Sequence, residues 1–259
     1  MRILTRLAAT AAMFAIAAGA AQAKEWKVIR IAMDATYPPF ESLDSSGQIV
    51  GFSKDIADAL CEQMKVTCEF SNQAWEGIIP GLLANKYDAI LSSMSITEER
   101  KLQIDFTDKY YNTPPAIAVP NDSTLAGVTP EDLTGITIGA QTSTTHSNYA
   151  QEKFPGAELK IYPSPDEYKL DLANGRLDAA IDDVVVLDDW TKSEAGSCCK
   201  ILGVLQADPV INGPGAGVGI RKEDTDLKDL FNKALAEIIA DGSYKTINDK
   251  YFAFDVYGS

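Results

Sequence analysis

The decapeptide LSSMSITEER, residues 91–100, carries four hydroxyl side chains and one arginine directly after an apolar, strand-like run. A guanidinium forms two parallel hydrogen bonds to a carboxylate, and hydroxyl groups supply further donors, so the group predicts a carboxylate site built on Arg100. The residues SITE at 95–98 also fit a helix capping box, with Arg100 paired to a neighbouring glutamate on a solvated helix. The two interpretations are compatible.

Further candidates follow other predicted strands at the point where each strand ends. In an open α/β sheet, ligands bind outside the carboxyl ends of the strands, where loops lead into helices. Side chains in such places are Asp34, Tyr37, Trp75, Ser92, Ser93, Ser95, Ser143, Thr144, Thr145, Asp182 and Asp183. Tyr37 and Trp75 are suited to flank a ligand, but aromatic residues also pack in cores. A carboxylate at a strand end, such as Asp34, seldom has a packing role.

Strands and helices alternate along the chain in an order that predicts two α/β lobes. Residues 27–33 alternate as a strand, and a helix preceded by Ser53 repeats apolar residues every four positions. Residues 68–70, 78–84 and 88–91 continue as strand, helix and strand. The same order restarts at 135–139. In addition, LANKYDAI (83–90) resembles LANGRLDAAI (172–181). Each lobe is therefore predicted to be a mainly parallel sheet flanked by helices.

Turn-forming segments mark two places where the chain is expected to cross between the lobes. NTPP (112–115) and the stretch from 208 to 217 are dense in Pro, Gly and Asn. With crossings at both, the C-terminal part and its amphipathic helix over 227–238 join the first lobe. The predicted division is a signal peptide at 1–23, lobe 1 at 24–112 plus 213–259, and lobe 2 at 113–212, joined by two hinge crossings.

The N-terminal segment and the cysteines indicate an exported protein. A basic start and an apolar stretch end in a small-x-small motif, which predicts an export signal with cleavage after Ala23. Cys61 and Cys68 are close enough in sequence for a local disulfide, the bond expected in an oxidising compartment. The adjacent Cys198 and Cys199 are compatible with a vicinal disulfide or with two thiols.

Composition and motifs argue against several functional classes. A net charge of −14 disfavours nucleic acid and anionic lipid as partners, and no segment of the mature chain is apolar enough for membrane insertion. The single histidine, His146, lies in a hydroxyl-rich loop without a Gly-x-Ser-x-Gly elbow, which disfavours a hydrolase triad. Asp182 and Asp183 are adjacent, so at most one enters a given cleft for acid/base work. No cofactor and no metal site are expected.

Six stretches together resemble the periplasmic polar amino-acid-binding proteins of ABC transporters, solute-binding protein family 3, and most closely the lysine/arginine/ornithine- and histidine-binding group. They are DATYPPF (34–40), GFSKDIA (51–57), CEQMKVTC (61–68), ILSSMSITEER (90–100), GRLDAA (175–180) and KYFAFDVYG (250–258). The resemblance implies a two-lobed periplasmic-binding-protein fold of type II, a monomer that closes on one amino acid. It also implies delivery to an ABC transporter permease in the inner membrane.

The resemblance further implies how the amino acid backbone is held. Arg100 clamps the α-carboxylate, with help from Ser93, Ser95 and Thr144. Asp183 accepts hydrogen bonds from the α-ammonium group. These are residues that the strand-end argument also selects, so both arguments predict a capture site and not a reaction centre.

The ligand side chain is assigned by the same resemblance. Asp34 and Ser92 meet its polar end, while Tyr37 and Trp75 flank its stem. An additional carboxylate at Asp182 and the acidic charge of the chain favour a basic amino acid, namely arginine, lysine, ornithine or histidine. The alternatives are a binder of glutamine or of an opine, or an exported cyclohexadienyl or arogenate dehydratase on the same fold. We expect the protein not to be an enzyme.

Overall fold

The structure, a computed structural model, describes residues 25–258. The predicted signal peptide at 1–23 lies outside the described residues. Two five-stranded sheets and one three-stranded sheet form the framework of this part of the chain, and helices flank the larger sheets. This arrangement confirms the predicted two-lobed α/β fold. No helix between residues 25 and 258 has the length and hydropathy needed to cross a bilayer.

The helices and strands follow one another in the predicted alternating order. The first part of the chain contains β1 (Val28–Met33), β2 (Thr36–Tyr37), β3 (Glu41–Leu43), β4 (Ile49–Val50), α1 (Phe52–Met64), β5 (Thr67–Asn72), α2 (Trp75–Leu83), β6 (Ala89–Ile90), α3 (Glu98–Lys101) and β7 (Asp105–Tyr111). The middle part contains β8 (Pro115–Pro120), β9 (Thr137–Gln141), α4 (Thr145–Lys153), β10 (Glu158–Tyr162), α5 (Pro165–Ala173), β11 (Ala179–Asp183), α6 (Val184–Lys192), β12 (Cys199–Val204) and α7 (Pro209–Asn212). The last part contains β13 (Ala216–Ile220), α8 (Thr225–Ala240) and α9 (Ser243–Tyr251).

The two large sheets share one construction. The strand orders are β5-β1-β6-β13-β7 and β10-β9-β11-β8-β12. The first three strands of each sheet are parallel, whereas β13 and β8 run antiparallel to both of their neighbours. The two similar sequence stretches lead into β6 and β11, which hold the same third position in their sheets. The sequence similarity therefore coincides with a structural repeat.

Each crossing between the sheets leads into one of these antiparallel strands. Residues 112–114 connect β7 to β8, and residues 213–215 connect α7 to β13. The last strand, β13, consequently belongs to the sheet that contains β1, and the last two helices, α8 and α9, pack in the same lobe. The residue-level division at 112/113 and 212/213 stays a prediction.

Alternating apolar residues fix the faces of the first sheet. Ile29, Ile31 and Met33 of β1 are fully buried in a cluster with α1 and α8. The intervening Ala32 packs in a second cluster on the opposite face, against α2. Since successive strand residues point to opposite faces, burial on both sides requires helices on both sides. This packing holds the carboxyl end of β1 in place beside the cleft.

The start of α1 differs from the prediction. The helix begins at Phe52 after Gly51, and not after Ser53, whose buried hydroxyl lies 3.2 Å from the hydroxyl of Tyr110. Gly51 has φ +123°, and a Cβ there would come within 2.4 Å of the Phe40 carbonyl oxygen. Only glycine fits this close approach without strain, so the backbone decides where the helix begins.

The helix after residues 91–97 also begins later than predicted. Thr97, and not Ser95, is the N-cap of α3, and its hydroxyl accepts a hydrogen bond from the Arg100 amide at 3.2 Å. The predicted start near Thr144 is correct: Thr144 caps α4 in a capping box with Ser147. Because Thr97 takes the cap, the side chain of Ser95 is available to the cleft.

One predicted disulfide is present, and the second cysteine pair is reduced. Cys61 and Cys68 are bonded, with their Cα atoms 6.2 Å apart, and the bond joins the end of α1 to β5. Cys198 and Cys199 are free thiols, and burial raises the pKa of Cys199 to about 12. The Cys199 thiol is therefore protonated at neutral pH, in a poorly reactive state.

Candidate functional site

A narrow cavity lies between the lobes at the carboxyl ends of their strands. Eight of the ten predicted binding residues line it: Asp34, Tyr37, Trp75, Ser92, Ser93, Ser95, Arg100 and Thr144. The other lining residues are Thr36, Glu41, Gln141, Thr145, His146 and Asp182. Ser143 and Asp183 do not line this cavity. The structure thus gathers residues that are far apart in sequence, whereas their roles toward a ligand stay predictions.

Arg100 is a buried cation that has no acidic partner in the described part of the chain. It is 9 % exposed, and its guanidinium donates to two backbone carbonyls, those of Ser95 at 2.8 Å and Ser143 at 3.1 Å. Its guanidinium carbon lies 5.2 Å from the centre of the Trp75 ring. No carboxylate among residues 25–258 comes within 4.0 Å of it.

The charge state of Arg100 follows from its surroundings. Burial lowers the pKa of Arg100 to about 10, which leaves the side chain positively charged at neutral pH. A buried charge that is not paired is costly, and an incoming anion offsets that cost. The fork of the guanidinium is a suitable receptor for a carboxylate.

Asp34 lies directly after β1 and, like Arg100, lines the cavity from lobe 1. Its amide donates to the Ser92 hydroxyl at 2.7 Å, and its carboxylate accepts from Thr36 at 3.0 Å and from Gln141 of the opposite lobe at 3.5 Å. Burial raises the pKa of Asp34 despite these hydrogen bonds. No lysine or arginine compensates this carboxylate among the described residues, so it can receive a cationic ligand group.

Glu41 is a lining residue that the sequence argument missed. It lies at the start of β3, is fully buried, and accepts hydrogen bonds from Ser92 at 3.4 Å and from Ser93 at 3.0 Å. Burial raises the pKa of Glu41 to about 8, so this side chain is mainly neutral at pH 7. Its position beneath two serines orients their hydroxyl groups. Nothing in the strand-end pattern indicated it, because Glu41 begins the central strand of the small antiparallel sheet and does not follow a parallel strand.

Asp182 reaches the cavity from the second lobe, at the end of β11. Its carboxylate accepts hydrogen bonds from the hydroxyls of Tyr37 and Tyr168 and from the Asp183 amide at 2.7 Å. The Nδ1 atom of His146 lies 3.1 Å from the same carboxylate. The contact with Tyr37 crosses the cleft, since Tyr37 belongs to lobe 1.

The neighbouring Asp183 has a different environment from the one that its predicted role suggests. Its carboxylate accepts from the Thr113 hydroxyl, in the crossing segment, and from the Val185 amide at 2.8 Å, which caps α6. Burial raises the pKa of Asp183 to about 7. In this arrangement the carboxylate is held by the hinge and by its own helix. Contact with a ligand ammonium group therefore stays a prediction for Asp183.

Ser143 contributes its backbone and not its side chain. It has φ +55°, and its carbonyl accepts from Arg100 and, at 3.3 Å, from the Trp75 indole. The hydroxyl of Ser95 lies 3.4 Å from that of Thr145. Together with the Tyr37 contact, these hydrogen bonds join the lobes directly across the cavity. The structure is therefore a closed arrangement in which protein groups satisfy one another.

Within residues 25–258, no group of three or more His, Cys, Asp or Glu side chains is arranged to hold a metal ion.

Gln141 also lines the cavity, although it is not among the binding residues predicted from the sequence. It is the last residue of β9, the position that Asp183 holds in β11, so the strand-end rule applied consistently would have included it.

Comparison with known proteins connects this site to one family. The model of the bacterial extracellular solute-binding proteins, family 3, matches residues 29–254. An L-arginine-binding protein of Pseudomonas aeruginosa is 44 % identical over 236 residues, which are 90 % of this chain and 91 % of the relative. The histidine-binding periplasmic protein of Escherichia coli is 41 % identical over 233 residues, 89 % of each chain.

A solved structure agrees with these sequence relatives. It is a periplasmic binding protein of Salmonella typhimurium, described for its high arginine specificity, with a TM-score of 0.81 and 31 % identity over 88 % of this chain and all of that one. These relatives are solute-binding proteins and not enzymes, which confirms the expectation of a binding protein. The dehydratase alternative receives no support from them.

Proposed function

The chain belongs to the bacterial extracellular solute-binding proteins, family 3, and we propose that its ligand is a basic amino acid, with arginine as the first candidate. In this proposal the interlobe cavity captures the amino acid and the closed protein delivers it to an ABC transporter permease. The named ligands of the relatives, arginine and histidine, support a basic ligand for this chain.

The pattern of buried charge is the observation that carries the proposal. The cavity contains one arginine, Arg100, that has no acidic partner among residues 25–258, and two carboxylates, Asp34 and Asp182, that have no lysine or arginine partner there. Glu41 is mainly neutral because its pKa is about 8, and loss of water lowers the pKa of His146 below its ordinary value. A basic amino acid brings one carboxylate and two cationic groups. Its negative and positive groups therefore meet opposite charges in the cavity.

The proposed contacts follow from where these charges lie. The guanidinium of Arg100 clamps the ligand α-carboxylate, and the N-terminus of α4, which Thr144 caps, favours that negative charge. Asp34 meets the cationic end of the side chain between the rings of Tyr37 and Trp75. Each hydrogen bond to a charged group contributes about 1.5–3 kcal/mol, and exclusion of water on closure strengthens them.

Capture is coupled to closure in this proposal, because the site is divided between the lobes. Asp34 and Arg100 belong to the first lobe, whereas Thr144 and Asp182 belong to the second, so only the closed protein offers all contacts. The ligand thereby favours the closed state by its differential affinity. The proposed hinge crossings join lobe 1 (24–112 and 213–259) to lobe 2 (113–212).

The finer aspects of location and assembly belong to the same proposal. Homologous binding proteins are periplasmic, which supports export of this chain. We place cleavage after Ala23, the mature protein in the periplasm as a monomer, and its permease in the inner membrane. The acidic charge of the chain is consistent with a partner other than nucleic acid.

Thermal unfolding with a panel of ligands tests the proposal. The mature protein is first unfolded and refolded to remove any carried ligand, and then melted with arginine, lysine, ornithine, histidine, glutamine, glutamate or octopine. A ligand at about 1,000 times its Kd stabilises by about 4 kcal/mol, or roughly 10 °C for a chain of this size. We expect such shifts for cationic ligands.

Two matched compounds sharpen the result. Agmatine keeps the guanidinium of arginine but lacks the α-carboxylate, and citrulline keeps the carboxylate but lacks the side-chain charge. We expect neither to stabilise the protein as arginine does. Stabilisation by glutamine, glutamate or octopine alone would retain the family and contradict the basic ligand.

A further inference from the structure

We infer that Asp182 is a specificity-determining residue that, together with Asp34, selects ligands with a cationic side chain. The inference rests on the proposed function and assigns to this site a second carboxylate, contributed by the second lobe. Asp182 is 2 % exposed and lines the cavity, so its charge acts through protein and ligand and is little screened by solvent.

The position of Asp182 is fixed by contacts on both sides of the cleft. From its own lobe, the buried Tyr168 and the Asp183 amide donate to it, and from lobe 1 the Tyr37 hydroxyl does. Tyr37 is also the ring that we place beside the ligand side chain. Asp182 is thereby anchored next to the subsite of the side-chain charge, and it also positions one wall of that subsite.

None of the contacts supplies a full positive charge to Asp182. Its only ion-pair contact in the described part of the chain is with His146, at 3.1 Å, and loss of water lowers the pKa of that imidazole. Lys169 is buried on α5 and attracted by Asp182, but it forms no ion pair with it within 4.0 Å. A buried carboxylate held only by neutral donors favours an added cation nearby.

Asp183 provides a contrast at the next position. Its carboxylate is directed to Thr113 and to the start of α6, on the hinge side, and it does not line the cavity. Removal of its charge is therefore expected to act on closure or on the α-ammonium group, which every amino acid shares. Loss of the Asp182 charge, in contrast, is expected to act on the ligand side chain.

The test is the ratio of the Kd for citrulline to the Kd for arginine, measured by calorimetry at pH 7. The variants are Asp182→Asn, Asp182→Ser, Asp183→Asn and Asp189→Asn, each compared with the wild type. Asp189 is an exposed residue of α6 in the same lobe, so its variant has the same change of net charge away from the cavity. Asp182→Ser leaves room for a water molecule between Tyr37 and Tyr168. It serves as the test variant if Asp182→Asn does not fold.

We expect Asp182→Asn and Asp182→Ser to lower the ratio at least tenfold, because arginine loses affinity and citrulline does not. Asp183→Asn is expected to raise both Kd values by similar factors, with the ratio within threefold of wild type. Asp189→Asn should leave both constants within twofold. If the folded Asp182 variants keep a ratio within threefold of wild type, the inference about Asp182 is wrong. The proposed function still holds in that case, provided that the wild type binds arginine. Failure of the wild type to bind arginine overturns both.

Discussion

Replacement of Arg100 by methionine is expected to abolish amino acid binding while it leaves the unliganded fold intact. Methionine has a similar length and no charge. The proposed clamp consists of two hydrogen bonds between the guanidinium and the α-carboxylate, each contributing about 1.5–3 kcal/mol. Their loss removes about 3–6 kcal/mol of binding free energy, which corresponds to a rise in Kd of roughly 10²–10⁴.

The stability of the unliganded protein provides the second half of this prediction. The lowered pKa of Arg100, about 10, means that burial disfavours the cation by about 3 kcal/mol. Against this cost, the side chain makes two hydrogen bonds to carbonyls, those of Ser95 and Ser143, worth together about 3 kcal/mol. The two contributions nearly cancel. We therefore expect the free energy of unfolding of Arg100→Met to stay within about 1 kcal/mol of wild type.

The assay combines calorimetric titration with arginine and urea unfolding of the unliganded protein. A Kd for arginine within tenfold of wild type would refute the role of Arg100 as the carboxylate clamp. A large loss of stability without ligand would contradict the view that this arginine is retained for binding and not for folding. The Kd for arginine tests the role of Arg100 in binding, and the free energy of unfolding tests its role in folding.

Three further predictions concern the cavity wall, the disulfide and a buried acid. Trp75→Ala should raise the Kd for arginine about 10–100-fold, since it removes the ring that contacts the clamp and lines the cavity, whereas Trp75→Phe should retain most of the affinity in the same titration. The double replacement of Cys61 and Cys68 by serine should lower the free energy of unfolding by about 2–3 kcal/mol in urea and leave arginine affinity unchanged, because the bond joins α1 to β5 away from the cavity. Glu41 has a raised pKa of about 8 in the folded protein, so the folded state holds a proton that the unfolded state loses near pH 4.5, and stability should fall with pH between these values by up to about 1.4 kcal/mol per pH unit. Glu41→Gln should flatten that profile in unfolding experiments from pH 5 to 8, and an unchanged slope would contradict the assignment.

The alternation of strands and helices was predictable because local periodicity dominates it. Ile29, Ile31 and Met33 alternate in the sequence and occupy one buried face in the structure. The start of α1 was not predictable in this way. Ser53 is a good capping residue by type, but a backbone contact between Gly51 and Phe40, distant in sequence, decides the start. Tertiary contact overrides local preference there.

The candidate site was largely predictable because the carboxyl ends of parallel strands meet at one edge. That rule predicts that Asp34, Ser92 and the pair Asp182 and Asp183 lie beside one another. It stated that at most one of the two aspartates enters a given cleft, but it did not say which. The structure answers this question, because Asp182 lines the cavity and Asp183 accepts a hydrogen bond from Thr113.

Features of the cavity that do not arise at the ends of parallel strands were not predicted from the sequence. Glu41 enters from the central strand of the small three-stranded sheet, and its burial beneath Ser92 and Ser93 depends on the packing of that sheet against the lobe. The cross-cleft contact of Tyr37 with Asp182 joins residues of different lobes. No spacing within a single segment encodes such a contact, because it depends on how the two lobes close.

The most direct test of the central claim is calorimetric titration of the refolded wild-type protein with arginine and, separately, with glutamate. A cavity with two carboxylates and one guanidinium should bind arginine with micromolar or lower Kd and give no measurable heat with glutamate. Tight binding of glutamate, or no binding of arginine or of any other cationic amino acid, would contradict the account.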